Sequence, residues 1–459
     1  MLKYFVEKAL LLTLMVMLPA AGPLAAESAD NWRTTDDTRK VPLPPSDRSA
    51  DPVLLIEGGV LIDGLGGKPV ADAVLVVRGD RIVAAGSAGK VAIPDRVDQR
   101  IDASGLFISP GLIDLHIHFT QQRGEEFTRY RDSAAAAAIR GTLLLSQFLD
   151  AGITAVRDVG TVDDVALRIK EAVARGLVDG PRVLWSGQLI AARGGHGNEI
   201  TSTATGRPKS LADSGRVRVA NGPWDWRLAV REQIRMHADW IKLTAPYTRE
   251  EITAAVDEAH LHEIPVTVDS FGKFTLWAAE AGIDSIEHPL DMDSDIIKAM
   301  AKNGTDFVPT ITAFYNVLTT GYPTAGIGGG GFYHTMSRRF PLDHDQHIDM
   351  VRQAHRAGVA IGVGTDIPFE NDKRYPEAYY RELGFLKDAG MSDQEVLAAA
   401  TRVGAEILGL GDKLGTLEPG KLADILISGS NPLEDIQNLR DVRYVFAGGK
   451  RVRQTAGGN

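Results

Sequence analysis

From about Pro110 to Leu408 the chain alternates short apolar runs of strand type with amphipathic helical stretches, and that rhythm leaves few folds open. The runs read GLIDLHIH, GITAVRDVG, PRVLWSGQLIA, ADWIKLTA, IPVTVDS, GIDSIEHP, DFVPTIT and VAIGVGTD, eight in all, with segments such as VALRIKEAVARG and KFTLWAAEAG between them. Near-continuous apolar strands must be covered on both faces, which crossover helices do for a parallel sheet. Eight such units predict an α/β fold, a closed (β/α)8 barrel of TIM type. Leu54 to Ile108 instead carries short strands cut by Gly and Asp-Gly turns, and strand patterning returns in KLGTLEPGKLADILISG and VRYVFAGGKRV. Chain ends often lie close together, so residues 53–109 and 409–459 are expected to form one small β-sandwich domain from both chain ends, beside a barrel at 110–408.

The first residues stand outside this pattern. Lys3 and Lys8 precede an apolar stretch from Ala9 to about Gly22, followed by Leu24-Ala25-Ala26, the arrangement of a signal peptide at 1–26 cleaved near Ala26. The apolar stretch is shorter than the roughly 20 residues that span a bilayer, so no stable membrane insertion is expected after cleavage. Residues 27–52, with KVPLPPSDRSADP, read as an extended linker. The expected location is exported, periplasmic or secreted.

A formal net charge of -10, from 50 Lys and Arg against 60 Asp and Glu, disfavours nucleic acid as a partner and leaves room only for local basic patches. Cysteine is absent, so disulfides and thiolate ligands are unavailable, and any metal must sit on His, carboxylate or modified Lys.

In GLIDLHIH, strand alternation places His116 and His118 on one face and Leu115 and Ile117 on the other, and two adjacent imidazoles can chelate one divalent ion. A barrel builds its chemistry at the C-terminal ends of its strands. There the chain offers Lys242 in the fourth strand, Asp269 closing the fifth, His288 the sixth and Asp366 the eighth, so six candidate ligands gather at five strand ends. Singly, Lys242 could pair with a carboxylate, His288 could be a hydrogen-bonded core histidine, and Asp269 and Asp366 could cap helices.

GLIDLHIH, IKLTA, SIEHP, GVGTDIP and the tail LGTLEPGKLADILI together resemble the metal-dependent amidohydrolase superfamily, in particular its imidazolonepropionase-like and prolidase-like branch. The resemblance spans nearly all of the chain after the linker. It implies hydrolysis of an amide or ester bond by a metal-bound hydroxide, with two divalent ions, zinc in the first instance. His116, His118 and Asp366 would hold one ion, and a CO2-carboxylated Lys242 would bridge to a second held by His288. Asp366 would act as general base and then general acid. The motif GGHG, Gly194 to Gly197, is similar to a loop of prolidase-like dipeptidases and offers His196 and Arg193 as substrate-binding residues.

One position departs from the resemblance. Relatives carry a His at the end of the fifth strand, where this chain has Asp269. A carboxylate still ligates zinc, at about 2.0–2.2 Å, so a second ion held by Lys242, Asp269 and His288 is feasible, with weaker Lewis acidity. The long stretch from Arg193 to Trp226 holds Arg193, His196, Arg207, Lys209, Arg216 and Arg218 against Glu199, Asp213 and Asp225, a mouth suited to a carboxylate-bearing small molecule such as a peptide or N-acyl amino acid. Phe314, Tyr315, Tyr322 and the glycines Gly328 to Gly331 read as an aromatic lid. Alternatives are a mononuclear hydrolase or deaminase of the same fold, or a secreted binding protein without turnover; a homo-oligomer is compatible with all of them. Protein from its native source is expected to begin near Glu27, and an intact mass that still includes Met1 to Ala26 would refute the leader.

Overall fold

The computed structural model describes residues 49–119, 133–196, 201–202, 208–209, 215–319, 343–367 and 375–454. The expected leader, the linker up to residue 48, Arg207, Tyr322 and the glycines 328–331 lie outside the described residues.

The barrel is present, and its strands are buried along all or most of their length, as a parallel sheet covered on both faces requires. All six residues of Leu112–Ile117, all six of Ile153–Asp158 and all four of Ile241–Thr244 are buried. Leu112–Ile117 pairs in parallel with Ile153–Asp158, which pairs with Arg182–Trp185. A second arc runs through Leu189–Ala192, Ile241–Thr244, Val266–Phe271, Ser285–Leu290 and Asp306–Val308. The third strand is broken: Arg182–Trp185 bonds to the second strand, Leu189–Ala192 to the fourth, and an added strand, Val217–Ala220, lies along Leu189–Ala192. Helices fill the crossovers, and several of them are started by capping side chains. Thr248 and Glu251 form a reciprocal capping box at Arg249–Leu261, and Ser392 and Glu395 form another at Asp393–Ala399. No helix among the described residues is long and apolar enough to cross a membrane.

Two expectations are corrected here. VAIGVGTD is not a regular strand; it closes the barrel by single hydrogen bonds, Gly362 N–H to Phe307 O at 2.9 Å, Leu115 N–H to Val363 O at 2.8 Å and Asp366 N–H to His116 O at 2.7 Å. The segment runs tight against its neighbours because Gly364 has no side chain: a Cβ there would lie 2.5 Å from Val308 Cγ1 and 2.8 Å from His116 Cβ. The alternation within GLIDLHIH is also broken. Register slips between Asp114 and Ile117, so Leu115 packs inside the barrel with Ile113 and Trp240, while Ile117 joins the outer core.

Both chain ends share one eight-stranded mixed sheet, the β-sandwich domain. Its order is Lys450–Gln454, Val442–Ala447, Ile425–Ser428, Phe107–Pro110, Val53–Leu61, Val70–Arg78 and Arg81–Ser87, with Gln99–Asp102 also pairing with Val53–Leu61. Strand alternation sends Leu54, Ile56, Leu75 and Val77 to a core with Ile108, Ile425, Ile427 and Phe446, and Val53, Leu55, Val74 and Val76 to the other face. Each such side chain contributes about 1.5–3 kcal/mol on burial. Leu410, Leu414 and Leu422, just before Ile425, pack with barrel residues Ile113, Leu115 and Leu184 and join the two parts. Gly364→Ala is expected to lower stability by about 1–3 kcal/mol through overpacking; an unchanged denaturant midpoint would mean that the closing segment yields without cost.

Candidate metal centre

The site grows out of strand ends. His116 and His118 converge on one carboxylate oxygen across the closing seam: His118 Nε2 is 3.2 Å and His116 Nε2 3.6 Å from Asp366 Oδ1. Their rings are 5.2 Å apart at 77°. Each ring is turned by a partner at its other nitrogen. His116 Nδ1 lies 2.6 Å from Glu287 Oε2, and His118 Nδ1 lies 3.0 Å from the Gly160 carbonyl. With Nδ1 donating, Nε2 is left as the ligating atom. Burial, reinforced by Lys242, pushes the His116 pKa down to about 3, so its contact with Glu287 is a neutral N–H on a carboxylate. Burial lowers the His118 pKa as well. Neutral imidazoles are what a metal requires.

A second group is built in the same way around Asp269, the residue after Val268 in Val266–Phe271. Its Oδ2 is 3.3 Å from His196 Nε2 and 3.4 Å from His288 Nε2, while His288 Nδ1 faces Thr310 Oγ1 at 3.1 Å. Burial raises the Asp269 pKa, but attraction from His288, His196 and Lys242 outweighs it and holds the carboxyl well below the usual range. The groups adjoin: donor atoms of His116, His288 and Asp366 all lie within 4.8 Å of one another. His288 and Asp366 both hold positive φ, 35° and 51°, a strained backbone of the sort that collects at functional sites.

Lys242 is 2 % exposed, and its Nζ has no hydrogen-bond partner among the described residues. Burial lowers its pKa against the pull of Glu287, Asp269 and Asp366. An orphaned buried amine is costly to keep, and it suits a donor set that a metal completes.

Several site residues were not singled out from the sequence. Arg157 and Glu287 are fully buried; Arg157 donates to Glu287 Oε1 at 2.6 Å, to the Leu115 carbonyl at 2.7 Å and to Ser285 Oγ at 3.2 Å, and its guanidinium lies 4.4 Å from the Trp240 ring centroid. Asp114 accepts from the N–H groups of His116 and Thr365, both at 3.1 Å, and from the Thr365 and Tyr375 hydroxyls, which clamps the first strand to the closing segment. Burial lifts its pKa to about 6. Asp158 accepts from Phe119 N–H at 2.8 Å and Gly160 N–H at 3.0 Å, so it braces both neighbours of His118. The available signal was a charged residue inside a strand otherwise apolar: Asp114, Arg157, Asp158 and Glu287 all fit it.

The substrate-side expectations fare differently. His196 enters the cluster, whereas Arg193 is exposed in the same turn and makes no contact with the cluster among the described residues. Arg218 is engaged by Asp225 at 2.7 Å and Glu232 at 2.6 Å, and Arg216 is buried, so neither forms the cationic mouth. Phe314 is no lid; it lies in the helix Ile311–Thr319, buried between the rings of His288 and His347 at 5.5 Å from each.

A model of the amidohydrolase family matches residues 107–452. Ochratoxinase of Aspergillus niger is 28% identical over 440 residues, covering 87% of this chain and 86% of its own. Imidazolonepropionase of Rhizobium rhizogenes is 25% identical over 411 residues, covering 79% and 88%. Among solved structures, a Xaa-Pro dipeptidase with methionine bound in its active site superposes with a TM-score of 0.77 at 28% identity, covering 88% of this chain and 100% of the other.

Glu287→Gln is expected to leave Arg157 buried with a weakened partner and to free His116. Stability should fall by up to about 3–5 kcal/mol, and metal affinity by about 10- to 100-fold. Urea unfolding and equilibrium dialysis measure the two effects, and wild-type values for both would remove Glu287 from this role.

Proposed function

This chain belongs to the amidohydrolase family, and on that footing we propose that it is a metal-dependent hydrolase of an amide bond in a small carboxylate-bearing substrate, of peptide or N-acyl amino acid type. The observation that carries the reading is the pair of buried donor groups, one centred on Asp366 and one on Asp269, with the orphaned Lys242 Nζ in the same cluster. His116, His118 and Asp366 would hold one ion, and His288, Asp269 and Lys242 would serve a second. Zinc suits this mixture of imidazole and carboxylate. When bound, the ions supply Lewis acidity, acidifying water and polarising the scissile carbonyl.

The chain's own residues do the rest. Lys242, held toward its neutral amine by burial, would attack CO2 through Nζ; an N–C bond forms as one C=O π bond gives its electron pair to oxygen, one amine proton leaves to solvent, and the neutral amine becomes an anionic carbamate able to ligate. Asp366, fixed by its N–H on the His116 carbonyl at 2.7 Å, presents its carboxylate at the cluster. It accepts a proton from the attacking water and returns it to the departing amine. Glu287 and the Gly160 carbonyl keep the His116 and His118 rings turned with Nε2 inward throughout. Phe314 against His288 keeps that side of the site dry.

The resemblance to a Xaa-Pro dipeptidase supports dipeptides as the first substrates to test, and the resemblance to ochratoxinase supports adding an ochratoxin to them. The leader pattern at residues 1–26 supports an exported enzyme. Purified protein loaded with Zn²⁺, Mn²⁺ or Co²⁺ is therefore expected to hydrolyse members of a panel of Xaa-Pro dipeptides, other dipeptides, N-acyl amino acids and an ochratoxin. Asp366→Asn should lose more than about a hundredfold in kcat with an unchanged circular dichroism spectrum. Silence of the whole panel with every metal would refute the reading, and near-full turnover by the Asn variant would move the proton transfer elsewhere.

A further inference from the structure

His196 stands apart from the other members of the cluster because it comes from a loop, yet it is held as firmly as they are. Its N–H donates to the Ala245 carbonyl at 3.1 Å and its carbonyl accepts from Thr244 Oγ1 at 3.0 Å, so both backbone groups are tied to the end of the fourth strand, next to Lys242 in sequence and space. Ahead of it the turn needs glycine: Gly194 has φ +76°, and a Cβ on Gly195 would lie 3.0 Å from the Ala192 carbonyl and 3.3 Å from Pro246 Cδ. The side chain is 18% exposed and reaches inward, with Nε2 3.3 Å from Asp269 Oδ2.

That spacing is informative. An imidazolium bonded to a carboxylate closes to about 2.7–2.9 Å. Nitrogen and oxygen donors placed tetrahedrally at about 2.0–2.2 Å from one zinc ion sit about 3.3–3.6 Å apart. His196 and His288 stand at 3.3 and 3.4 Å from the same Asp269 oxygen, both at the longer spacing. The Asp366 group repeats it, with His118 and His116 at 3.2 and 3.6 Å from Oδ1. Two histidines on one carboxylate oxygen is thus the plan of both halves of the centre, and in the second half His196 takes the place that His118 takes in the first.

We propose that His196 is a ligand of the second ion, coordinating through Nε2 beside Asp269 and His288, rather than a substrate-binding residue. The assignment rests on the metal-dependent reading of the site. It adds a second neutral nitrogen donor, beside His288, to an ion on which Asp269 and a carboxylated Lys242 would place negative oxygen, and so offsets the loss of Lewis acidity that those oxygen ligands bring.

The test is Co²⁺ titration of the full-length mature protein by equilibrium dialysis, with visible absorption recorded at each equivalent, on wild type, His196→Ala and His196→Gln. Two equivalents are expected for wild type. In His196→Ala the second should weaken by at least about 10- to 100-fold, with a changed absorption band for that equivalent alone and an unchanged first. His196→Gln, which keeps the length and offers an amide oxygen, should recover part of the affinity but not the spectrum. Because the residue lies on a partly exposed loop, both variants are expected to melt within a few degrees of wild type when metal-free. Variants that keep both wild-type affinities and the wild-type spectrum overturn the assignment and leave a two-ion centre standing. A wild type that takes up a single equivalent also overturns it, while one that takes up none overturns the metal-dependent reading itself.

Discussion

One carboxylate holds the centre in register. Glu287 accepts from His116 on the first barrel strand, Arg157 on the second, Thr267 on the fifth and Ser285 beside it on the sixth. Four strands are thereby tied at one buried point, directly beneath the cluster. Attraction from Arg157 and the bond from His116 outweigh burial and keep it ionised. Burying such a pair brings little net stability, since desolvation of both charges offsets their attraction. What it brings is geometry: the orientation of His116, and the distance between the strands that carry the two donor groups, follow from where this carboxylate sits.

Electrostatic balance explains why a cluster so rich in charge can exist in the interior. Lys242, Asp269, Asp366 and Glu287 lie close enough to shift one another, and the lowering of Lys242 by burial is partly offset by the three carboxylates. Farther out, Asp114 and Asp158 are buried acids lifted to about 6 and about 7 by desolvation; Asp158 accepts from two backbone N–H groups, and Asp114 from two backbone N–H groups and the Thr365 and Tyr375 hydroxyls. Polar groups at this depth are retained for position.

Much of this was legible in the sequence, for reasons that differ by element. The barrel was readable because a parallel sheet needs apolar residues at every position, and few other arrangements bury runs such as ITAV and VTV on both faces. Metal-type residues at strand ends were readable because the fold collects strand ends at one mouth. The closing segment was misread as a strand: Gly362 and Gly364 reflect close approach, which periodicity does not report. Glu287 was hidden by its neighbour, since a charge beside His288 looks like part of the same signal, and Arg157 and Asp158 were hidden because the second strand carries none of the histidines that drew the eye elsewhere. Arg218 looked available because composition counts charges and does not show that Asp225 and Glu232 already hold it. His196 was visible in GGHG, but its distance from Asp269 was not.

The shared sheet has a consequence for how the molecule comes into being. Phe107–Pro110 lies between Val53–Leu61 on one side and Ile425–Ser428 on the other, and Pro110 pairs with Ile425, more than three hundred residues later. While the barrel is being synthesised, that strand presents an open row of backbone donors and acceptors, an edge on which another chain can build. Its partner follows only after the whole barrel, so this pairing cannot form until the barrel has been synthesised, and contacts this distant in sequence form slowly. A chain cut short between the barrel and Ile425 therefore keeps all its chemistry-bearing residues and still leaves the molecule with a sticky, unfinished edge.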